Sequence, residues 1–244
     1  MVNNPSRQIL FVALAALLVV FIYHGNVLVN PGSYMFSITG DGIKNYYTFV
    51  YHTIYDDSAL EFGGMNWPFG EHVIFIDGHP ALSIILQNVN KVIPLSAGSL
   101  VGFLNFLMVF DLAICIILFF FLFRQYDQSI SLSILAAIGV ATLAPQVFRF
   151  TGHYALSYSS FFPLTWILAL KVFNTRRRSI WAFLLFLFLF TLFWIHPYLG
   201  LIASLFVILW SGVELVASLV QKNGHVKAPF LLIISSMMAI VTFR

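Results

Sequence analysis

A chain of 244 residues that is 60% hydrophobic and 9% charged, with mean hydropathy +0.93, is not built as a water-soluble domain. Soluble domains carry about 25% charged residues and have no interior large enough for this much apolar surface, so lipid is the expected solvent. The net charge of +3 is small, and no nucleic-acid partner is expected. In lipid each backbone N–H and C=O must be satisfied within the protein, which leaves helices or a closed barrel. Runs such as Trp181–Trp194 are continuously apolar rather than alternating over about 10 positions, which selects helices. Cys115 is the only cysteine, so disulfides play no part.

A span needs roughly 20 mainly apolar residues. In chain order the sequence predicts spans over Ile9–Val29, Ser99–Phe123, Ile130–Phe150, Tyr154–Phe173, Ile180–Ile195, Tyr198–Leu219 and Ala228–Phe243. The first has no small-x-small site after its apolar run and reads as an uncleaved span. His196-Pro197 breaks a stretch too long for one crossing into a helical hairpin. The expected fold class is thus an all-α, polytopic transmembrane bundle of about seven spans. Residues 1–244 read as one transmembrane domain. The stop on Thr242-Phe243-Arg244, with no polar tail, is the expectation for an amino-terminal portion of a longer protein.

Lys and Arg set the orientation. With the N-terminus inside, Arg7, Arg124, Lys171, Arg176, Arg177, Arg178, Lys222 and Lys227 fall in the cytoplasm; Lys44, Lys91 and Arg149 fall outside, and the last residue, Arg244, is left uncounted. A multi-pass protein of the plasma (inner) membrane is expected, its active face extracytoplasmic.

Residues 30–98 form the predicted first extracytoplasmic loop, too long for a simple connector. It holds six of the nine acidic residues, Asp41, Asp56, Asp57, Glu61, Glu71 and Asp77, and the tyrosines Tyr34, Tyr46, Tyr47, Tyr51 and Tyr55. Tyrosine favours the headgroup level because its ring is apolar and its tip is wet. Ile43, Tyr46, Tyr47, Val50 and Ile54 recur at helical spacing, so Gly42–Tyr55 reads as a helix lying along the outer membrane surface. A second surface helix is expected over Ala81–Val92. Between them, Gly63 to Gly70 is turn-rich, with Trp67 and Phe69 expected to pack it onto the spans. Glu71-His72 and Asp77-Gly78-His79-Pro80 then bring two carboxylates and two imidazoles into a short stretch.

Asp41, in Gly40-Asp41-Gly42, is the sharpest single residue. Flanking glycines admit close backbone approach, and a carboxylate at the bilayer surface suits a general base. The plainer role is an Asx-turn or N-cap for the helix that follows. Arg149 ends its span on the outer side and is followed by His153, while His196 sits at the hairpin tip. Snorkelling to headgroups is the plain reading of Arg149, and interfacial polarity that of the histidines. Asp111 and Glu214 are intramembrane acids. His72, Asp77 and His79 with Glu71 match no defined metal motif, so no structural metal is expected; a loosely held Mg or Mn ion stays open.

A first span ending outside, an acid soon after it at Asp41, a long first outer loop with two surface helices and many later spans together resemble the integral-membrane GT-C superfamily of glycosyltransferases, including the YfhO-type and dolichyl-phosphate-mannose-type transferases. The resemblance covers roughly Ile9–Phe123 in architecture. In residues it is limited to the Asp41 region and, loosely, Met65–Pro80. Asp41 lacks the Asp-x-Asp or Asp-Asp pair of the metal-binding version. The resemblance implies transfer of a sugar from a polyprenyl-phosphate donor to an acceptor hydroxyl on the extracytoplasmic face. It makes Asp41 the general base, Arg149 and His153 the donor-phosphate contacts, and Glu71, His72, Asp77, His79 and His196 substrate contacts. The partners implied are membrane lipid and the lipid-linked donor. Two other classes compete: a transporter or flippase of a lipid-linked or polar solute, favoured by Asp111 and the interrupted Phe193–Gly200 segment, and a non-catalytic partner in polymer assembly.

Overall fold

The computed structural model describes residues 5–221 and 226–243; Lys222 and Arg244 lie outside them. Nine α-helices occur among the described residues: α1 Pro5–Val29, α2 Gly40–Ile54, α3 Pro80–Asn90, α4 Ala97–Arg124, α5 Ile130–Thr142, α6 Phe161–Asn174, α7 Arg178–Ile195, α8 Pro197–Val220 and α9 Lys227–Thr242. The only strands among them, β1 Glu61–Phe62 and β2 Glu71–His72, pair antiparallel with Glu61 opposite His72. The fold is all-α with this one small hairpin. Two compact units divide between Ser160 and Phe161.

Four helices, α1, α4, α7 and α8, are long and apolar enough to cross a membrane; a fifth crossing results if α5 and the turn after it count as one. The expected Ile130–Phe150 helix is broken. It stops at Thr142, and Pro145–Thr151 continues as a 3-10 turn bent 42° from it. Proline disfavours helix in the residue before it and cannot donate its own backbone bond, whereas hydropathy alone reads straight through. The expected Tyr154–Phe173 span also starts late: Tyr154–Leu156 is a 3-10 turn and α6 begins at Phe161. At 14 and 16 residues, α6 and α9 are shorter apolar helices.

Within the first unit α1 packs on α4 and α4 on α5. α1 buries Val12, Ala16, Val20 and Val27 and leaves Leu10, Leu14, Leu18, Phe21 and Ile22 between 55% and 68% exposed. An apolar face that long suits contact with lipid rather than water. α5 buries Ser133, Ala137 and Ala141, small residues spaced by four that let two backbones approach. In the second unit α7 packs on α6, α8 and α9, and α8 on α9. There the buried small residues Ala203, Ser204 and Ser211 of α8 and Ser235, Ser236 and Ala239 of α9 serve the same purpose.

Between α1 and α4 a polar framework sets the position of α2. Asn105, buried in α4, donates from Nδ2 to the carbonyls of Pro31 (2.8 Å) and Tyr34 (2.7 Å). Its Oδ1 accepts the Tyr46 hydroxyl at 2.5 Å, and that hydroxyl in turn accepts the Phe36 N–H at 3.3 Å. At the other end of α2, Gln87 of α3 donates to the carbonyls of His52, Asp56 and Ser58 (3.3, 2.7 and 3.0 Å). Phe62, Val73 and Ile76 make a small core beneath the hairpin, with Tyr51 and Ile84 against it.

The helix expected over Gly42–Tyr55 forms, and the face it turns to the protein is partly polar. Ile43 and Tyr47 are exposed, while Asn45, Thr48 and His52 are buried beside Tyr46 and Phe49. Burying polar side chains is tolerable because each has a partner: Asn45 donates to the Gly152 carbonyl, Thr48 to Asn45 O, and His52 Nδ1 meets Ser83 Oγ at 2.9 Å. Trp67 and Phe69 are 88% and 93% exposed, so they project away from the protein instead of packing the turn onto it.

Candidate functional site

Asp41 is the second residue of α2, in its first turn, where the positive end of the helix dipole favours a carboxylate. It is not the N-cap. That position is Thr39, with no side-chain cap bond. The backbone reaches the helix through Gly40 at φ +54, a conformation glycine adopts without a Cβ penalty. Gly42 admits close packing: a Cβ there would strike Ser37 and come within 2.8 Å of the Tyr154 hydroxyl.

The Asp41 carboxylate has two partners. Lys44 Nζ lies 3.2 Å from Oδ1, one helical turn on. His153 Nε2 lies 3.6 Å from Oδ2, within ion-pair reach but beyond a good hydrogen bond. His153 Nδ1 is 3.1 Å from Asp77 Oδ2. One imidazole therefore stands between two carboxylates. Asp77 is the sheltered one, its side chain 11% exposed, and Asp41 the open one at 51%. The contact of Nδ1 with Asp77 holds the ring so that Nε2 faces Asp41. A solvated carboxylate beside a fixed imidazole can take a proton from a hydroxyl and pass it on.

Three remote segments make this cluster: α2, the turn before α3, where Asp77 stands at φ +59, and the loop after α5. Asn45 holds the loop by its bond to Gly152 O, one residue before His153. Tyr46 and Tyr154 meet beside it as a tilted pair with centroids 4.7 Å apart, and Phe36 and Phe150 extend the aromatic floor to His24 of α1. Burial pushes both phenols above their ordinary range, so they stay protonated. α1 departs from helical geometry at His24, beside a cavity of about 350 Å³ bounded by residues 21–27, Val29 and Tyr34.

The other sequence candidates are placed elsewhere. Arg149 is exposed in the 3-10 turn, and no ion pair joins it to a carboxylate among the described residues. Glu71 lies in β2 opposite Phe62; His72 caps the turn over Val73–Ile76, its Nδ1 accepting the Ile74 N–H at 3.3 Å. His79, φ +50, is buried at the start of α3 between the rings of Phe49 and Tyr158. In the second unit His196 caps α8, its Nδ1 accepting the Tyr198 N–H at 3.2 Å. Asp56 accepts the Gly63 N–H at 3.0 Å, and burial outweighs that bond to push its carboxyl up. Among the described residues no group of three or more His, Cys, Asp or Glu could hold a metal ion.

Asp111 is engaged by the chain itself. Its Oδ2 accepts the backbone N–H of Ser159 (2.7 Å) and Ser160 (3.0 Å), and its Oδ1 the Ser160 hydroxyl. A buried carboxylate taking this many donors is anchoring the 157–160 segment. Sequence reasoning missed Lys44 as the partner of Asp41, although the i,i+3 spacing was legible, and missed Asn105, an amide in an apolar span.

The profile of one family, described as "Domain of unknown function (DUF6311)", matches residues 12–243. No curated protein and no solved structure matches the chain.

Proposed function

Because this chain belongs to the DUF6311 family, whose description assigns no activity, we propose its function from the site: an integral-membrane glycosyltransferase of GT-C type. It would transfer a sugar from a polyprenyl-phosphate donor to an acceptor hydroxyl. The observation that carries this reading is the convergence of His153 on Asp41 with Asp77 behind it. In the proposed reaction Asp41 accepts the proton of the acceptor hydroxyl. The acceptor oxygen then bonds to the anomeric carbon as the bond to the phosphate oxygen breaks, and polyprenyl phosphate leaves with the electron pair. His153 and Lys44 hold Asp41 in place, and Arg149, exposed and without a carboxylate partner among the described residues, receives the phosphate. The break in α1 and the cavity beside it give a lipid tail a place against the spans.

In the same reading the chain crosses the plasma membrane seven times, with the shorter α6 and α9 and the bent α5 segment counted, its N-terminus cytoplasmic. The α2–α3 region then lies on the outer face, with Ile43, Tyr47, Trp67 and Phe69 at headgroup level. Arg7 and Arg124 would share the inner face, as the Lys and Arg bias requires. The competing transport reading leaned on Asp111, whose carboxylate is occupied by Ser159 and Ser160.

The test is release of polyprenyl phosphate by the purified chain in vesicles supplied with a panel of polyprenyl-phosphate monosaccharides and acceptor glycans. Asp41→Asn should abolish release while the protein still inserts and elutes as a single species. Turnover equal to the unsubstituted chain would remove Asp41 from its role.

A further inference from the structure

Wholly within the second unit, a cavity of about 620 Å³ opens between the α6–α7 turn and the start of α9. Arg176, Arg177 and Arg178 line one side and Lys227 the other. None of the four is in an ion pair with a carboxylate among the described residues. Nearby Lys171 has found its own partner, 5.9 Å above the Trp181 ring, and does not line the cavity.

Two of these cations stand where helix electrostatics disfavours them. Arg178 is the first residue of α7 and Lys227 the first of α9, at the positive ends of the two dipoles. Neither helix start is relieved by a side-chain cap: α7 begins after Arg177 and α9 after Val226, without a cap hydrogen bond at either. Four side-chain cations from two separate helices and the turn before one of them thus line one cavity without a described counter-charge. A ligand with several anionic oxygens would balance these cations. A run of inside-pointing arginines is common wherever a loop must stay on one side of a membrane. That rule explains Arg176, Arg177 and Arg178, but not a cavity between them and a cation from a separate helix. α7 turns apolar at Ile180 and α9 at Ala228, so the pocket borders the apolar stretches of both helices.

We propose that this pocket is a phosphate-binding site, taking the phosphate of an anionic lipid headgroup or of a soluble phosphorylated ligand. The decisive variant is Lys227→Gln, which leaves all three arginines, and with them the topology signal, in place. Arg177→Gln is the companion variant, and Arg124→Gln, in the other unit, is the control. The purified full chain in phosphatidylcholine nanodiscs is titrated with phosphatidylglycerol, read by native mass spectrometry, and separately with inorganic pyrophosphate, read by calorimetry. Each pocket variant should weaken binding by roughly fivefold, the effect of one cation near an anionic surface, and the control should not. Loss in the lipid titration alone identifies a headgroup; loss with pyrophosphate identifies a soluble phosphate. Absence of binding in both titrations, or equal affinity in Lys227→Gln and Arg124→Gln, would overturn the proposal. Unchanged unfolding midpoints of the variants in detergent exclude misfolding as the cause of any loss.

Discussion

Asn105→Leu is the most demanding test of how the fold presents Asp41. The amide makes three hydrogen bonds, to the carbonyls of Pro31 and Tyr34 and with the Tyr46 hydroxyl. Leucine fills a similar volume but offers none of them. A net hydrogen bond is worth about 1 kcal/mol, and a buried carbonyl stripped of its donor costs about 1–3 kcal/mol. Two stripped carbonyls and one lost phenol contact therefore sum to about 3–7 kcal/mol. The phenol keeps the Phe36 N–H, so its share is the smallest. Tyr46→Phe alone should cost about 1–2 kcal/mol, and the two changes together should fall short of their sum by about 1 kcal/mol, because they share one bond. Reversible unfolding in mixed micelles, titrated with sodium dodecyl sulfate and followed by tryptophan fluorescence, measures all three. A cost below about 1 kcal/mol for Asn105→Leu would refute the claim that this amide fixes the residues leading into α2.

His52 is buried and its pKa is lowered from 6.5 by desolvation, so the folded state binds its proton less readily than the unfolded chain. Stability should thus be level above about pH 6.5 and fall as pH drops below it; His52→Gln should flatten that slope in thermal unfolding, and identical slopes would count against the assignment. Gly42→Ala should cost about 1–3 kcal/mol, because its Cβ meets Ser37 and Tyr154, whereas Gly139→Ala, with nothing within 4 Å, should be neutral or stabilising in the same unfolding assay.

The membrane character of this protein is written in its local sequence, because hydropathy is a property of consecutive residues. Four of the expected spans, Ile9–Val29, Ser99–Phe123, Ile180–Ile195 and Tyr198–Leu219, appear as long apolar helices within a few residues of their predicted ends. The two helices between α1 and α4 were legible, the first from helical spacing and the second from a short apolar run, and so was the hairpin break at His196-Pro197, since proline acts on its nearest neighbours. Hydropathy misjudged residues 143–160, which are apolar in composition but carry Pro145 and the serine segment held by Asp111. It could not show that α2 also buries a polar face, because the burial of Asn45 and His52 depends on partners that lie far along the chain. The same limit applies to the site. Asp41 could be singled out by its glycines and its place after the first span, but its meeting with His153 and Asp77 could not. Side-chain periodicity reports only which face a residue occupies. Which distant carboxylate and imidazole share that face is decided by Asn105, Asn45 and Gln87, whose hydrogen bonds close loops across the chain and exist only once it has folded.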